Sequence, residues 1–341
     1  MATALASVGR EMGAMPLAVR LKKQGGPEVL VLEEVQVPAP AAGEVTLRHG
    51  AIGLNFIDVY QRSGHYTLQL PSGIGQEAAG VVTAVGPGVT TPKVGDRVAY
   101  AGVPLGAYSE VRNYPAERLV PVPEGVTDEQ AAASLLKGLT AWYLVRRTFK
   151  VERGQTVLVH AAAGGVGLIL CQWLKHLGAT VIGTVGSEAK AQAARDAGCT
   201  HPLVLGNENR RELPAKVKEL TGGAKVPVVY DSIGKDTFDV SLECLAPFGL
   251  MVLFGASSGP VPPFDLQRLA AGGSLYVTRP TLGTYVGKRD ELLAGARELF
   301  DLVARKVLTI HVNQRYPLRE VAKAHIDLEA RKTTGSTVLL P

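Results

Sequence analysis

The spacing of hydrophobic positions changes in character along this chain. From about residue 16 to residue 125, short apolar runs are separated by Gly and Pro, for example in segments 44–49, 80–85 and 96–100. Runs of this length and composition are typical of β-strands that end in turns. The first third of the chain is therefore predicted to be an all-β, barrel-like region.

A helical pattern replaces these strands from Thr127 to Arg147, and Gln130 stands three residues after Thr127, as in a capping box. The continuous apolar run 156–161 then leads through glycines into a helix, which is followed by the apolar run 180–185. A buried strand, a helix and a second buried strand form a βαβ unit. The middle of the chain is thus predicted to contain a parallel sheet.

Alternation of strands and helices continues after this unit. Strands are predicted near 226–230 and 250–254, and helices near 236–245 and 290–306. This order predicts an α/β fold with a doubly wound parallel sheet. A strand at 309–312, a helix at 318–330 and a strand at 337–340 are expected to return and complete the first domain.

Composition narrows the class of protein. A chain of 341 residues exceeds one usual hydrophobic core, and 46% hydrophobic with 20% charged residues fits a globular enzyme in two domains. Three separated cysteines argue against a disulfide framework and suit a reducing cytoplasm. The net charge of +5 comes without a basic run, so nucleic acid is not expected as a partner.

No apolar stretch approaches the roughly eighteen residues of a membrane span. Residues 1–15 are expected to form a tail, with a short targeting segment as the alternative.

The segment 161–167 carries the strongest chemical signal, because its glycines follow a predicted strand and open a predicted helix. Gly164 would let the backbone approach a pyrophosphate, and Gly167 would permit close packing of helix against strand. The free N–H groups of this helix start, which includes Gly165 and Val166, would attract the phosphates. Ala162 occupies the place of the first glycine, where an alanine suffices if its φ stays negative.

The residues after the second strand of the unit bear on the choice of dinucleotide. An NAD site places an Asp or Glu there to bind the ribose 2′-OH, but residues 184–187 contain no carboxylate. Ser187, Lys190 and Arg195 stand instead where a 2′-phosphate would lie, which favours NADPH. The alternative for Lys190 is an ordinary solvated helix residue.

Five motifs together resemble the quinone oxidoreductase branch, including zeta-crystallin, of the medium-chain dehydrogenase/reductase superfamily. They lie at residues 55–60, 75–77, 137–140, 161–167 and 329–336. The resemblance implies a GroES-like β-barrel domain and a Rossmann domain with a cleft between them, NADPH as hydride donor, and a homodimer. It implies residues 16–139 and 280–341 for the GroES-like catalytic domain and residues 140–279 for the Rossmann NADPH-binding domain.

The same motifs argue against the zinc alcohol dehydrogenases of that superfamily. Asn55 stands in the place of the cysteine ligand and Gln76 in the place of the histidine ligand, and Glu77 alone cannot hold the ion. No cysteine precedes Cys171, so the four-cysteine structural lobe is missing as well. No metal site is expected, and the cysteines are predicted to be buried small hydrophobic residues.

The family pattern also implies roles for individual residues. Asn55 and Tyr60 are implied beside the nicotinamide and the acceptor, with Tyr66 at the mouth of the cleft. For Tyr60 the alternative is a core aromatic residue, and Asp58 is expected to be structural. Thr140 is implied to contact the nicotinamide carboxamide. Lys137 is implied to hold the helix and loop near the cofactor, and a surface lysine is its alternative. The remaining implied cofactor contacts are Ser232, Phe254, Gly255 and Ser257 at strand ends and Arg331 near the 2′-phosphate. Leu205 stands where relatives carry a tyrosine near the adenosine.

These features predict a cytoplasmic, metal-independent NADPH:quinone oxidoreductase whose acceptor lies over the nicotinamide, contacted by Asn55 and Tyr60 rather than by a titrating pair. Two alternatives stay open: a 2-alkenal or enone reductase using the same cleft, and a non-enzymatic NADPH- or RNA-binding protein like zeta-crystallin. The sequence does not choose between one-electron and two-electron delivery. A homodimer is expected through residues 274–279, whose apolar strand would otherwise leave a sheet edge exposed.

Overall fold

The structure is a computed structural model that describes residues 15–206 and 208–341. The predicted tail at residues 1–15 therefore lies outside the described residues, apart from Met15. Within the described ranges, no helix is long and apolar enough to cross a membrane.

Short strands dominate the first third of the chain, as the Gly and Pro punctuation predicts. They are β1 (Leu17–Leu21), β2 (Val31–Glu34), β3 (Glu44–Leu54), β4 (Ser72–Gly73), β5 (Glu77–Val85), β6 (Arg97–Ala101), β7 (Val111–Pro115) and β8 (Val120–Pro121), with one helix, α1 (Phe56–Ser63), after β3. The long strand β3 pairs with β5 and β7, while β1, β2 and β4 form a small separate sheet. The end of β3 and the start of β5 thus lie side by side, directly below α1.

Helix α2 (Asp128–Tyr143) joins the two halves of the molecule. Its capping box is present: Gln130 N–H donates to Thr127 Oγ1 over 3.1 Å, and Thr127 N–H donates to Gln130 Oε1 over 2.9 Å. The helix packs against β3 and β5 on one side and against later helices on the other, so most of its side chains are buried. A single π-helical turn, Leu144–Thr148, then ends it.

The second half contains the doubly wound sheet. Its elements are β9 (Thr156–Val159), α3 (Gly165–Leu177), β10 (Thr180–Val185), α4 (Glu188–Asp196), β11 (His201–Val204), α5 (Leu213–Leu220), β12 (Val226–Asp231), α6 (Phe238–Glu243), β13 (Leu245–Leu253), α7 (Gln267–Ala271) and β14 (Tyr276–Thr278). The strands are parallel in the order β11-β10-β9-β12-β13-β14. The order reverses direction between β9 and β12, which is where doubly wound sheets bind their ligands.

The last part of the chain returns to the first sheet. It comprises α8 (Leu282–Tyr285), α9 (Arg289–Ala304), β15 (Val312–Pro317), α10 (Val321–Glu329) and β16 (Ser336–Leu340). Strand β16 pairs antiparallel with β3, so the strand predicted at 337–340 does join that sheet. The predicted position of the preceding strand, 309–312, is wrong, because β15 begins only at Val312. The backbone of Thr309 bonds instead to the side chain of Gln172 on α3, and the pairing with β16 fixes where β15 starts.

Candidate functional site

The carboxyl ends of β9 and β13 contact the first half of the chain, and we call the boundary between the two halves the cleft. Several contacts cross it, including the bond from Arg279 Nη2 to Tyr66 Oη over 3.2 Å. The N–H of Ala256, just after β13, donates to Tyr60 Oη on α1 over 2.9 Å. At the other end of the cleft, Gly164 pairs with Gly335 as an isolated parallel bridge. Tyr60 and the predicted glycine loop therefore both lie at this boundary.

The glycine loop has the geometry that close approach requires. A Cβ on Gly167 would collide with the carbonyl oxygen of Ala161, so only glycine lets α3 sit this close to β9. Ala161 itself has a φ of 51°, and Ala162 does not share this left-handed conformation. The expectation that an alanine at 162 keeps a negative φ is thus met, with the left-handed step one residue earlier. Gly164 precedes α3 without a side-chain cap, leaving the first N–H groups of the helix for a ligand.

Lys190 and Arg331 converge beside the start of α4. Lys190 Nζ donates to the backbone carbonyl of Arg331 over 2.9 Å, and Ser187 caps α4 by accepting from Lys190 N–H over 3.4 Å. Partial burial, and then the charge of Arg331, lower the pKa of Lys190. In the described ranges neither cation is paired with a carboxylate, whereas Arg195 bonds to Glu188. Two unpaired cations beside a capping hydroxyl suit a phosphate group, and Lys190 is not the freely solvated residue of the alternative interpretation.

A buried carboxylate organises the floor of the cleft. Glu77, at the start of β5, is fully buried. Its Oε2 accepts from Asn55 Nδ2 over 2.8 Å and from Lys137 Nζ over 3.3 Å, and its Oε1 accepts from Leu136 N–H over 2.7 Å. Lys137 is only 6% exposed, so the surface-lysine alternative is wrong. Its aliphatic carbons also pack against Gly165, since a Cβ there would stand 2.9 Å from Cδ and Cε. One side chain thus links the glycine loop to Asn55.

The bond to Glu77 fixes the orientation of the Asn55 amide. Glu77 Oε2 already accepts from Lys137 Nζ, so the amide group that faces it is the NH₂ donor and not the carbonyl oxygen. The Asn55 backbone N–H is held as well, because it donates to Asp58 Oδ2 over 2.9 Å at the start of α1. A titratable pair, Glu77 and Lys137, therefore stands directly behind an uncharged group. The sequence analysis expected the uncharged Asn55 amide at the acceptor, without this pair behind it.

Aromatic side chains form one wall of the cleft. The ring of Tyr60 lies 5.2 Å from that of Phe56, 5.0 Å from that of His65 and 5.6 Å from that of Tyr66, measured between centroids. Burial raises the pKa of Tyr60 to about 12, so its hydroxyl stays protonated. Because Tyr60 Oη accepts the N–H of Ala256, its own hydrogen is available to a further acceptor. Tyr60 is thus a cleft residue and not a core aromatic, and Tyr66 stands at the mouth, 37% exposed.

The ends of β12 and β13 meet opposite this wall. Ser257 N–H donates to the carbonyl of Ser232 over 3.1 Å, and a Cβ on Gly255 would stand 2.9 Å from the Ser232 Cα. Phe254, at the end of β13, is half-buried beside them. Thr140 is 7% exposed, and its hydroxyl donates to the Leu136 carbonyl of its own helix over 2.8 Å. Ser232, Phe254, Gly255 and Ser257, predicted to contact the ribose and nicotinamide half, are therefore brought together. Thr140 instead donates its hydroxyl hydrogen within α2.

A chain of buried polar groups, which the sequence analysis did not predict, supports α1 from behind. Tyr108 Oη lies 2.8 Å from Asp58 Oδ2 and 3.1 Å from His325 Nε2. Arg62 lies 3.2 Å from His325 Nδ1 and forms a two-pronged pair with Glu329, both at 2.8 Å. Burial raises the pKa of Asp58 to about 7 and lowers that of His325 to about 3. The chain ties the Asn55 turn to α10, which ends two residues before Arg331.

Asn55 and Gln76, in the places of the family's cysteine and histidine zinc ligands, lie just before α1 and just before β5. Gln76 is buried just before β5, beside Glu77. In residues 15–206 and 208–341, no group of three His, Cys, Asp or Glu side chains could hold a metal ion. Cys171, Cys199 and Cys244 are free and buried, as predicted for small hydrophobic residues.

Fold and cleft together define a two-domain oxidoreductase of the dinucleotide-binding class. Comparison with known proteins agrees: residues 41–124 match the alcohol dehydrogenase GroES-like domain, and residues 165–300 match the zinc-binding dehydrogenase family. The chain belongs to the zinc-independent quinone oxidoreductase branch of the medium-chain dehydrogenase/reductase superfamily.

Three relatives illustrate this membership. The chain is 54% identical over 328 residues to a quinone oxidoreductase of Pseudomonas aeruginosa, covering 96% of this chain and 100% of that protein. It superimposes on the crystal structure of Escherichia coli quinone oxidoreductase complexed with NADPH with a TM-score of 0.92, at 50% identity, covering 95% of this chain and 100% of that one. It is 48% identical over 334 residues to a 2-haloacrylate reductase of a Burkholderia species, covering 96% and 99% of the two proteins.

Proposed function

We propose that this protein is an NADPH:quinone oxidoreductase that binds its acceptor in the cleft between the two domains, over the nicotinamide. One observation carries the proposal: in a chain 54% identical to a quinone oxidoreductase, Tyr60 bonds to the backbone just beyond β13, at the carboxyl edge of the nucleotide-binding sheet. The division into residues 16–139 with 280–341 and residues 140–279 is part of the same proposal.

The chain offers a complete set of groups for NADPH. The loop of Gly164, Gly165, Val166 and Gly167 would receive the pyrophosphate on free N–H groups. Ser187, Lys190 and Arg331 would bind the 2′-phosphate, while Ser232, Phe254, Gly255, Ser257 and Thr140 would line the ribose and nicotinamide half. When bound, NADPH supplies the hydride, and the fit is supported by solved relatives that contain it.

The protein's own task at the acceptor is orientation. The protonated Tyr60 hydroxyl can donate to a quinone carbonyl. Glu77 holds one Nδ2 hydrogen of Asn55, and the other makes only a long bond of 3.5 Å to the Gly53 carbonyl, which an acceptor carbonyl would replace. A quinone that takes a hydride becomes an anion stabilised by its own ring, so positioning over the nicotinamide supplies most of the required catalysis. The proton that completes the hydroquinone comes from solvent.

Activated alkenes are a second class of acceptor that the enzyme would reduce. It is favoured by the 48% identity to a 2-haloacrylate reductase, whose name describes an electron-poor alkene as substrate. Such an acceptor would use the same cofactor and the same cleft, and would differ only in how its carbonyl meets Asn55 and Tyr60.

We also propose a cytoplasmic homodimer formed along β14. Strand β14 is an edge of its sheet, and exposed apolar side chains flank it: Phe248 is 71%, Leu266 68% and Tyr276 60% exposed. Pairing two such edges would cover them. Sedimentation at micromolar concentration should give twice the mass of one chain, and a monomer there would contradict the dimer.

Three free buried thiols support the cytoplasmic location, because the cytoplasm is a reducing compartment.

Substitutions at the cleft test the acceptor site. Tyr60→Phe should lower kcat/KM for 1,4-benzoquinone about tenfold, which corresponds to about 1.4 kcal/mol of transition-state stabilisation. Asn55→Ala should lower it while changing the dissociation constant of NADPH, measured by fluorescence, much less. If both variants reduce benzoquinone as well as the wild type does, the acceptor does not lie where we place it.

A further inference from the structure

Arg279 stands at the mouth of the cleft, one residue beyond β14. Its Nη1 donates to the carbonyl of Leu253, at the end of β13, over 3.1 Å. Its Nη2 donates to Tyr66 Oη, on the opposite domain, over 3.2 Å. Arg279 is exposed to solvent, and these two bonds orient its guanidinium between the two domains.

This guanidinium has no acidic partner in residues 15–206 and 208–341. Three arginines that bridge distant parts of the chain do have one: Arg62 pairs with Glu329, Arg97 with Asp128 and Arg146 with Glu298. Arg289, like Arg279, bonds across the chain to backbone carbonyls instead. The charge of Arg279 acts on the hydroxyl of Tyr60, in the cleft, and on that of Tyr143, in the core. Its charge opposes the rise that burial causes in the pKa of Tyr60 and of Tyr143. Within the described part of the chain, the positive charge of Arg279 at the cleft mouth therefore has no carboxylate partner.

We propose that Arg279, with Tyr66, binds an anionic substituent of the acceptor, so that the enzyme prefers quinones or activated alkenes bearing a carboxylate or sulfonate. This inference deepens the proposed function and rests on it. A guanidinium has five N–H donors, and two are used here, which leaves donors for a two-pronged bond to an anion. The reaction is unchanged: NADPH gives a hydride to the acceptor, solvent gives a proton, and NADP⁺ and the reduced acceptor leave.

The position of Arg279 is compatible with the dimer proposed above. Its side chain turns toward Leu253 and Tyr66, and both partners lie on the cleft side of the sheet rather than along the open edge of β14. The ring of Tyr66 is itself held by Tyr60 and His65, at 5.6 Å and 5.3 Å between centroids. An anion bound at Arg279 would thus place the rest of the acceptor against the same wall as Tyr60.

Matched acceptors test the proposal. With NADPH saturating, kcat/KM is measured for 1,2-naphthoquinone-4-sulfonate and for neutral 1,2-naphthoquinone, and their ratio is compared between proteins. Arg279→Gln should lower this ratio at least tenfold, and Arg279→Lys, which keeps the charge but loses the fork, should lower it less. Arg268→Gln, on the exposed face of α7, removes the same charge far from the cleft and should keep the wild-type ratio.

The wild type alone supplies a second measurement that does not depend on the folding of variants. Raising the ionic strength from about 0.02 to about 0.5 M should lower the ratio, because salt screens the attraction of the sulfonate and leaves the neutral quinone unaffected. An unchanged ratio in Arg279→Gln, or an equal fall in Arg268→Gln, would overturn the inference. Failure of the wild type to reduce the neutral quinone would overturn the proposed function instead, so the two failures are distinguishable.

Discussion

Replacing Glu77 by glutamine should cost more stability than any surface charge in this protein. Glu77 is fully buried, and its carboxylate receives Lys137 Nζ, Asn55 Nδ2 and Leu136 N–H. A glutamine keeps one acceptor oxygen, presents an NH₂ group in place of the other, and leaves the Lys137 ammonium group, 6% exposed, without a counter-charge. Removing one partner of a buried ion pair typically costs about 3–5 kcal/mol.

Urea denaturation followed by fluorescence measures this loss. With an m value of about 3 kcal/mol/M, a loss of about 3 kcal/mol moves the midpoint down by about 1 M. The matched control is Glu291→Gln, which breaks the exposed pair with Arg147 at 3.0 Å and should cost less than about 1 kcal/mol. Combining Glu77→Gln with Lys137→Met should cost less than the sum of the single changes, because the double variant leaves no unpaired charge.

The same substitution has a catalytic consequence. An NH₂ group at position 77 faces the Asn55 NH₂ group, so the Asn55 amide must turn over or lose its bond. Benzoquinone reduction by Glu77→Gln should then fall at least tenfold in kcat/KM. A variant within about 0.5 kcal/mol of the wild type in stability, with unchanged kcat/KM, would refute the reasoning that this carboxylate is ionised and orients Asn55.

Two further predictions follow from the cofactor site and the buried polar chain. Lys190→Ala should raise the KM for NADPH about tenfold or more and leave NADH turnover unchanged, because a charge-assisted bond to phosphate contributes about 1.5–3 kcal/mol. An equal loss of activity with NADH would contradict the role of Lys190 at the 2′-phosphate. Burial raises the pKa of Asp58 to about 7, so the folded protein takes up a proton below pH 7 that the unfolded chain takes up only near its ordinary pKa of 3.8. The stability that this proton confers is therefore lost as pH rises through 7. Between pH 6 and pH 8, the free energy of unfolding, measured by urea denaturation, should fall by about 1 kcal/mol more in the wild type than in Asp58→Asn. Equal losses in the two proteins would show that Asp58 does not titrate there.

The elements that the sequence predicts well are those whose signals are local. The apolar run before residue 161, the glycines after it and the apolar run from Thr180 lie within about thirty residues, and together they specify the βαβ unit. The capping box at Thr127 is likewise complete within four residues. The start of β15 is not local, because it depends on pairing with β16 and on a bond from Gln172, so residue pattern alone misplaces it.

The parts of the site that sequence reasoning missed depend on contacts between distant residues. Glu77 and Lys137 lie 60 positions apart, Arg62 and Glu329 267 positions, and Arg279 and Tyr66 213 positions. A partial signal existed: Glu77 is a charged residue at the head of an apolar strand, and a buried charge requires a partner. The pattern does not say which partner, since that depends on how α2 lies across β3 and β5.

The most direct test of the central claim is NADPH oxidation by 1,4-benzoquinone, followed by the loss of NADPH absorbance after exhaustive treatment with a metal chelator. The account predicts full activity with NADPH, much weaker activity with NADH, and no recovery or gain on adding zinc. Activity that requires stoichiometric zinc, or equal use of NADPH and NADH, would contradict the assignment of the cleft as a metal-independent, NADPH-specific reductase site.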